Sequence, residues 1–219
     1  MGMKEVAEKY SDYQVEMRRW FHNNAEVSEK EYETAKKIRE ELDKMGVEWE
    51  HCGLETSTLA TIKGAKPGKT VLLRGDIDAL SVTEETGLPF ASKTKGVMHA
   101  CGHDCHISML LTAAHILNDM KDELCGTVKL AWQSSEEVAT GAKAMVEDGG
   151  TLIVGGIYDD RLLVKLTKSA VALMPDADRE LPYEGAKEML LVDNVENKEF
   201  LRELLEAMYE ELPAPKKKK

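Results

Sequence analysis

Apolar side chains recur at helical spacing in several segments of the chain. Positions three or four residues apart are apolar over 4–22 and again over 32–45, where Gly46 supplies a helix stop. Ser28 and Glu31 have the spacing of a capping box, which predicts that the second helix begins at Ser28. Further helices are predicted, in chain order, at 107–117, 139–147 and 197–212.

Shorter segments with alternating or continuous apolar character predict strands. Four of them precede residue 150, at 47–51, 58–63, 70–73 and 127–132. Later in the chain turn-forming residues are dense, and three apolar runs are compatible with strands, at 153–154, 162–166 and 170–173. Helices and strands mixed in this way predict a layered α/β or α+β fold.

Two of the predicted strands are followed by acidic residues. Asp76 and Asp78 come after the strand at 70–73, and they lie on the same side of an extended segment because side chains alternate with a period of two. Glu136 and Glu137 come after the strand at 127–132. Open α/β sheets bind ligands beyond the carboxyl ends of their strands, so both pairs are candidate site residues. Two solvated surface turns would explain the same residues.

The densest set of metal-binding side chains is the segment from His99 to His106. It holds three histidines, two cysteines and an aspartate in eight residues, directly ahead of an apolar run. Thiolate, imidazole and carboxylate groups are ligands of zinc and its neighbours, so Cys101 and His103 are candidate ligands of one ion. The alternative is a polar loop in which Asp104 caps the helix while His99 and His106 are solvated.

Composition narrows the class of protein. The 219 residues carry a formal net charge of −11, with 42% apolar and 32% charged residues, as in ordinary globular domains. The negative charge argues against nucleic acid and anionic membranes as partners. No apolar stretch reaches the ~20 residues of a membrane span. The N-terminus lacks a signal-peptide pattern, and we therefore expect a cytoplasmic protein.

The polar clusters, taken with their spacing, resemble the metal-dependent N-acyl-amino-acid amidohydrolases, such as hippurate hydrolase, acetyldiaminopimelate deacetylase and the auxin-conjugate hydrolases. The resemblance covers roughly residues 16–149. It is carried by Arg18-Arg19 through His22 and Glu26, by LLRGDIDALSVTEETGLPFASKTKGVMHACGHDCH and by GTVKLAWQSSEEVATGAKAMVEDG. The resemblance implies an α/β fold of the zinc-exopeptidase type, in which a mixed β-sheet is flanked by helices in three layers.

The resemblance also implies a metal site. Cys101 and His103 resemble metal ligands, and Glu137 resembles a third. Glu136 resembles the general base that activates a metal-bound water. The implied cofactor is a divalent metal, namely zinc, manganese or cobalt, as one or two ions. The implied substrate is a small N-acyl amino acid.

Asp76 and Asp78 match an Asp-x-Asp motif of the family, in which one aspartate orients a ligand or supports the site. The family often pairs through a lid domain inserted into the catalytic domain. A chain without this lid is expected to be a monomer or a weak homodimer.

The sequence departs from the family pattern at several points. Ser134-Ser135 replaces the usual Pro-Ala, and no histidine follows His115, although the family supplies two later histidine ligands. The chain also leaves no room for the lid. We therefore expect one catalytic-type domain at 1–212, family-like over 1–150, then shortened and rejoined over 151–212, followed by a flexible Lys-rich tail at 213–219.

Two functions remain open on this evidence. The first is metal-dependent hydrolysis of the amide bond of N-acyl amino acids or small conjugates by a metal-activated water. The alternative is a non-catalytic lidless or engineered scaffold that retains the fold and at most partial metal binding. A more distant third interpretation is a redox pair formed by Cys101 and Cys105.

Overall fold

The computed structural model of the protein describes residues 3–149, 155–158, 161–182, 186–195 and 197–211. The chain divides into two compact units, Met1–Gly149 and Gly150–Lys219. The boundary falls where the family-like part was expected to end. The single domain expected over 1–212 stays a prediction, and the Lys-rich tail at 213–219 lies outside the described residues.

The helices and strands of the first unit follow the hydrophobic pattern, with shifted ends. The helix predicted over 4–22 is divided into two, because a turn at Lys9 and Tyr10 interrupts it. The strand predicted at 70–73 extends in both directions. The elements are α1 (Met3–Glu8), α2 (Ser11–Asn23), α3 (Tyr32–Met45), β1 (Glu48–Cys52), β2 (Leu54–Lys63), β3 (Lys66–Asp76), α4 (His103–Asp119), β4 (Cys125–Gln133) and α5 (Gly141–Gly149).

The four strands of this unit form one mixed sheet in the order β1-β2-β4-β3. The pairs β1–β2 and β2–β4 are antiparallel, whereas β3 and β4 run parallel. Asp76 and Gln133 are the last partners in the parallel register. The chain therefore leaves β3 and β4 side by side at the same edge of the sheet.

Alternation of side chains gives the sheet two apolar faces. On one face Ala60 and Leu130 belong to the main core, which they share with helices α2, α3 and α4. On the other face Leu59 and Ala131 pack against Met145 of α5. Each large aliphatic side chain buried in these cores contributes roughly 1.5–3 kcal/mol to folding. A mixed sheet between helices confirms the fold class predicted from the sequence.

The start of α3 differs from the prediction, so the capping-box assignment is wrong. The helix begins at Tyr32, and the Ser28 hydroxyl donates to the Asp78 carboxylate at 2.7 Å instead of capping it. Two N–H groups of the first helical turn donate to the carboxylate of Glu26 at 3.2 and 2.8 Å. The local motif fails because a tertiary contact recruits Ser28. Glu31 likewise makes no capping bond.

The second unit has its own sheet and core. Its described elements are β5 (Gly155–Tyr158), β6 (Arg161–Lys165), α6 (Lys168–Leu173), β7 (Arg179–Glu180), β8 (Met189–Leu191) and α7 (Lys198–Glu211). The strands pair antiparallel in the order β5-β6-β8-β7. Val164, Leu190 and Leu204 lie in the core of this unit.

The segment at 170–173, compatible with a strand in the sequence, is helical. The Thr167 hydroxyl accepts a hydrogen bond from the Ala170 N–H at 3.1 Å and caps α6. The run at 153–154 lies outside the described residues. Among the helices in the described ranges, none is long and apolar enough to cross a membrane.

Glu41 is a buried carboxylate whose polar contacts connect α2 and α3. Its carboxylate, with 5% of the side chain exposed, lies 2.7 Å from Lys37 Nζ and 2.6 Å from Lys44 Nζ. It also accepts a hydrogen bond from the Tyr13 hydroxyl at 3.3 Å. Burial favours the protonated carboxyl, but the two lysines outweigh it and hold the pKa of Glu41 below its ordinary value of 4.5.

We expect Glu41→Gln to lower the free energy of unfolding at neutral pH, and to lower it less in acid. Because the folded pKa lies below the unfolded one, the ionised carboxylate stabilises the fold above pH 4.5, and this contribution is lost as the pH falls through the folded pKa. Urea denaturation of both proteins from about pH 7 to about pH 3 measures the difference. The matched control is Glu40→Gln, an exposed position on the same helix. A Glu41→Gln effect independent of pH would contradict the argument.

Candidate functional site

Strands β3 and β4 bring the two acidic pairs together at one edge of the sheet. Asp78 follows β3 and Glu137 follows β4, and the two strands end in register. The backbone N–H of Glu137 donates to Asp78 Oδ2 at 2.9 Å. The carboxylates that follow two separate strands in the sequence are therefore neighbours.

The start of α4 delivers an imidazole to the same edge. Leu80 and Met98 exchange two backbone hydrogen bonds of 3.0 Å, which close the loop between them and return the chain to Asp78. His103 Nδ1 then donates to the backbone oxygen of Asp78 at 2.9 Å. A carbonyl oxygen only accepts, so the proton lies on Nδ1 and the neutral ring keeps its lone pair on Nε2.

His103 Nε2 faces three carboxylates. It lies 3.5 Å from Asp76 Oδ1, 3.8 Å from Glu137 Oε1 and 3.9 Å from Glu136 Oε2. Burial disfavours the charged imidazolium, but the contact with Asp78 and the charge of Asp76 outweigh it and raise the pKa of His103 to about 9. The site therefore favours a positive charge at this nitrogen.

Cys101, His103 and Glu137, the ligands predicted from the sequence, present ligand atoms that lie within 4.8 Å of one another. Glu137 Oε1 is buried and has no hydrogen-bond partner among the described residues. Partial burial and the Glu137 carboxylate raise the pKa of the Cys101 thiol to about 11. A divalent cation would give the oxygen a partner and stabilise the thiolate, so this donor set fits zinc or a similar metal. The assignment of the three residues as ligands stays a prediction.

Asp76, His103 and His106 form a second group, whose ligand atoms also lie within 4.8 Å of one another. Two of these residues are already bonded to each other, and Arg74 binds one of them. His106 Nδ1 donates to Asp76 Oδ1 at 2.5 Å, Arg74 Nη1 lies 3.2 Å from Asp76 Oδ2, and the two imidazole rings stack. Burial opposes ionisation of Asp76, but His106 and Arg74 lower its pKa. This group is better suited to supporting the site than to holding a separate ion.

Asp78 and Glu136 occupy different environments. Asp78 is fully buried, and hydrogen bonds from His103 and Ser28 outweigh this burial and lower its pKa to about 2. The side chain of Glu136 is 39% exposed, and burial together with neighbouring carboxylates raises its pKa. An ionised Asp78 suits an orienting role, and a carboxylate of raised pKa suits a general base. Both roles stay predictions.

The polar-loop alternative for residues 99–106 does not fit the structure. Asp104 is buried, with Oδ2 2.7 Å from His22 Nδ1 and 2.9 Å from Arg18 Nε, and His99 is 4% exposed. These contacts connect α2 to the first turn of α4. They therefore fix the start of α4 and, with it, the position of His103.

Sequence reasoning missed several residues that support the site. His106 lies three positions after His103 on α4, a spacing that places both on one helix face and was a usable signal. Ser57 bonds to Ser134, and Glu31 bonds to the turn after β4. Local sequence patterns carry no signal for these contacts, because they join distant segments.

Comparison with known proteins shows extensive similarity. Residues 72–211 match the family described as Peptidase family M20/M25/M40. Thermostable carboxypeptidase 1 of Saccharolobus solfataricus is 48% identical over 162 residues, which cover 71% of this chain and 41% of that protein. N-acetyl-L-cysteine deacetylase of Bacillus subtilis is 44% identical over 135 residues, which cover 62% of this chain and 32% of that protein. IAA-amino acid hydrolase ILR1-like 6 of Arabidopsis thaliana is 44% identical over 142 residues, which cover 65% of this chain and 30% of that protein.

The chain spans about two fifths, or less, of the length of these relatives. A crystal structure of a Bacillus subtilis protein, described as a dinuclear metal-binding peptidase from the M20 family, matches with a TM-score of 0.63 and 43% identity, over 65% of this chain and 40% of that one. The family match extends over more than half of the sequence and includes the sheet edge where the acidic, thiol and imidazole groups meet. The chain therefore belongs to peptidase family M20/M25/M40.

Proposed function

We propose that this chain hydrolyses the amide bond of N-acyl amino acids or small conjugates, with a divalent metal and Glu136 as general base. The observation that carries the proposal is the convergence of Cys101, His103 and Glu137 at one sheet edge, with Glu136 beside them. Membership of a peptidase family supports amide hydrolysis as the reaction class.

Cys101, His103 and Glu137 would hold the metal, which we propose to be zinc, manganese or cobalt, as one or two ions. Their sulfur and nitrogen atoms disfavour magnesium and calcium, which prefer oxygen ligands. When bound, the metal supplies Lewis-acid chemistry that lowers the pKa of water and polarises the amide carbonyl. The similarity to a dinuclear metal-binding peptidase supports a metal at this place.

Glu136 is the proton carrier in this proposal. Its carboxylate takes the proton that the attacking water loses and returns it to the amide nitrogen as the C–N bond breaks, which leaves a carboxylic acid and an amine. Burial and Asp76 raise the pKa of Glu136 above its ordinary value of 4.5, which makes its carboxylate a stronger base. The backbone oxygen of Asp78 accepts a hydrogen bond from His103 Nδ1–H, which keeps Nε2 available as a ligand.

The names of two relatives support an acylated amino acid as the substrate, since one is an N-acetyl-L-cysteine deacetylase and another an IAA-amino acid hydrolase. We propose a small-molecule substrate and no nucleic acid or membrane partner, because a net charge of −11 repels anionic polymers and surfaces. We also propose a cytoplasmic monomer or weak homodimer. The alternative is the non-catalytic scaffold, and the observation behind it is that no histidine follows His115.

We expect zinc, manganese or cobalt to raise the melting temperature of the metal-free protein. A ligand that binds only the folded state adds about 2.7 kcal/mol to the free energy of unfolding at one hundred times its Kd. Differential scanning calorimetry with and without each metal measures the shift.

Cys101→Ser should lose most of this metal-dependent shift, because it removes the thiolate. Cys125→Ser should keep it, since Cys125 is an exposed cysteine outside the ligand group. A melting temperature that none of the three metals changes would contradict the proposed site.

We expect Glu136→Gln to lower kcat for N-acetyl and N-benzoyl amino acids by about 100-fold or more, because an amide cannot accept the proton of water. Metal affinity should change little, since Glu136 lies outside the ligand group. Initial rates, with metal content from elemental analysis, measure both quantities. Glu123→Gln, at an exposed position, is the control. Undiminished turnover by Glu136→Gln would remove its assignment as the base.

A further inference from the structure

Glu31 is a buried carboxylate that the proposed chemistry does not use. It is 0% exposed and lies directly before α3. Burying a carboxylate is unfavourable unless its oxygens accept hydrogen bonds. Glu31 accepts them from the Thr56 hydroxyl at 3.0 Å and from the Ser135 backbone N–H at 2.7 Å. It therefore connects the start of α3, strand β2 and the turn after β4.

Ser135 has a left-handed backbone, with φ of 55°. Residues other than glycine rarely adopt this conformation unless the surrounding structure holds them there. Glu31 Oε1 accepts from the Ser135 N–H and also from its hydroxyl at 3.3 Å, and Ser135 Oγ in turn accepts from the Glu29 N–H at 2.9 Å. Because φ of Ser135 sets the direction in which the chain leaves β4, these bonds also set where Glu136 and Glu137 point.

Other contacts hold the residues on either side of Ser135. Ser57 Oγ and Ser134 Oγ are hydrogen-bonded at 2.7 Å, and Asp78 accepts the Glu137 N–H at 2.9 Å. Gly141 approaches so closely that a Cβ there would come within 1.6 Å of the Ser134 backbone oxygen. Contacts on both sides thus hold the turn, and Glu31 accepts the hydrogen bond of the Ser135 N–H between them.

We propose that Glu31 is a positioning residue for the metal centre, which acts by binding Ser135 and thereby directs Glu136 and Glu137 toward Cys101 and His103. This inference rests on the proposed function, because it concerns the ligand group assigned there. The role requires an acceptor oxygen at this position and does not require a negative charge.

Cobalt binding to the metal-free protein, followed by visible and near-ultraviolet absorption, tests the inference without measuring turnover. We expect Glu31→Ala to weaken cobalt binding about ten- to hundredfold, as the loss of groups that orient metal ligands does. The thiolate-to-cobalt absorption of Cys101 should persist at saturating cobalt. Glu31→Gln should stay within about threefold of the unsubstituted chain, because the glutamine Oε1 still accepts from Ser135. The matched control is Glu33→Ala, because the Glu33 side chain lies on α3 and is 66% exposed. This variant should bind cobalt normally.

A double variant separates positioning from a general loss of stability. If Glu31 acts through Glu137, Glu31→Ala should weaken cobalt binding little further in the Glu137→Gln background, whereas independent effects would multiply. Thermal melts establish that each variant is folded. If Glu31→Ala does not fold, Glu31→Asp replaces it with the same expectation, because the shorter side chain withdraws the oxygen from Ser135.

Three results would overturn the inference. Equal cobalt affinities of Glu31→Ala and Glu33→Ala would contradict it and leave the proposed function intact. Independent losses in the double variant would do the same. Failure of the unsubstituted chain to bind cobalt would contradict the proposed function and, with it, the role of Glu31.

Discussion

The candidate site depends on the parallel pairing of β3 and β4. Parallel neighbours end at the same edge of a sheet, and here the last register pair is Asp76 with Gln133. Asp78 and Glu137 follow directly and are joined by a hydrogen bond of 2.9 Å. Had these strands been antiparallel, the two acidic pairs would lie at opposite ends of the sheet. The pairing of the two strands thus brings the carboxylates together without the help of a bound ligand.

Gathering these groups concentrates negative charge. Asp76, Glu136 and Glu137 surround His103 Nε2 within 3.9 Å, and in the metal-free protein the raised pKa of His103, about 9, favours a proton there. The raised pKa of the Cys101 thiol, about 11, has the same origin in part, since a thiolate would add to the charge. The environment that favours these protons also favours a divalent cation, so metal binding and proton release are linked.

Polar residues from α2 and from the segment between α2 and α3 support this edge. Ser28 bonds to Asp78, Glu31 bonds to Ser135, and His22 bonds to Asp104 beside His103. Ser28 and Glu31 have the spacing of a helix cap, yet both side chains bond to the site instead. Tertiary hydrogen bonds override the local capping preference, because buried polar groups need partners: Ser28 donates to the buried Asp78 carboxylate, and Glu31 accepts from the buried Ser135 N–H.

The sequence by itself determined the fold class and most elements of the first unit, because hydrophobic periodicity reports buried faces. Residue chemistry made Cys101 and His103 candidate ligands, and the family resemblance added Glu137 to that prediction. The sequence pattern misassigned 170–173, where a single Thr167 cap selects a helix. Only the tertiary structure decided that Glu137 Oε1 has no hydrogen-bond partner among the described residues and that Glu31 holds the turn before it. Both features arise from contacts between segments far apart in the chain, which local spacing does not encode.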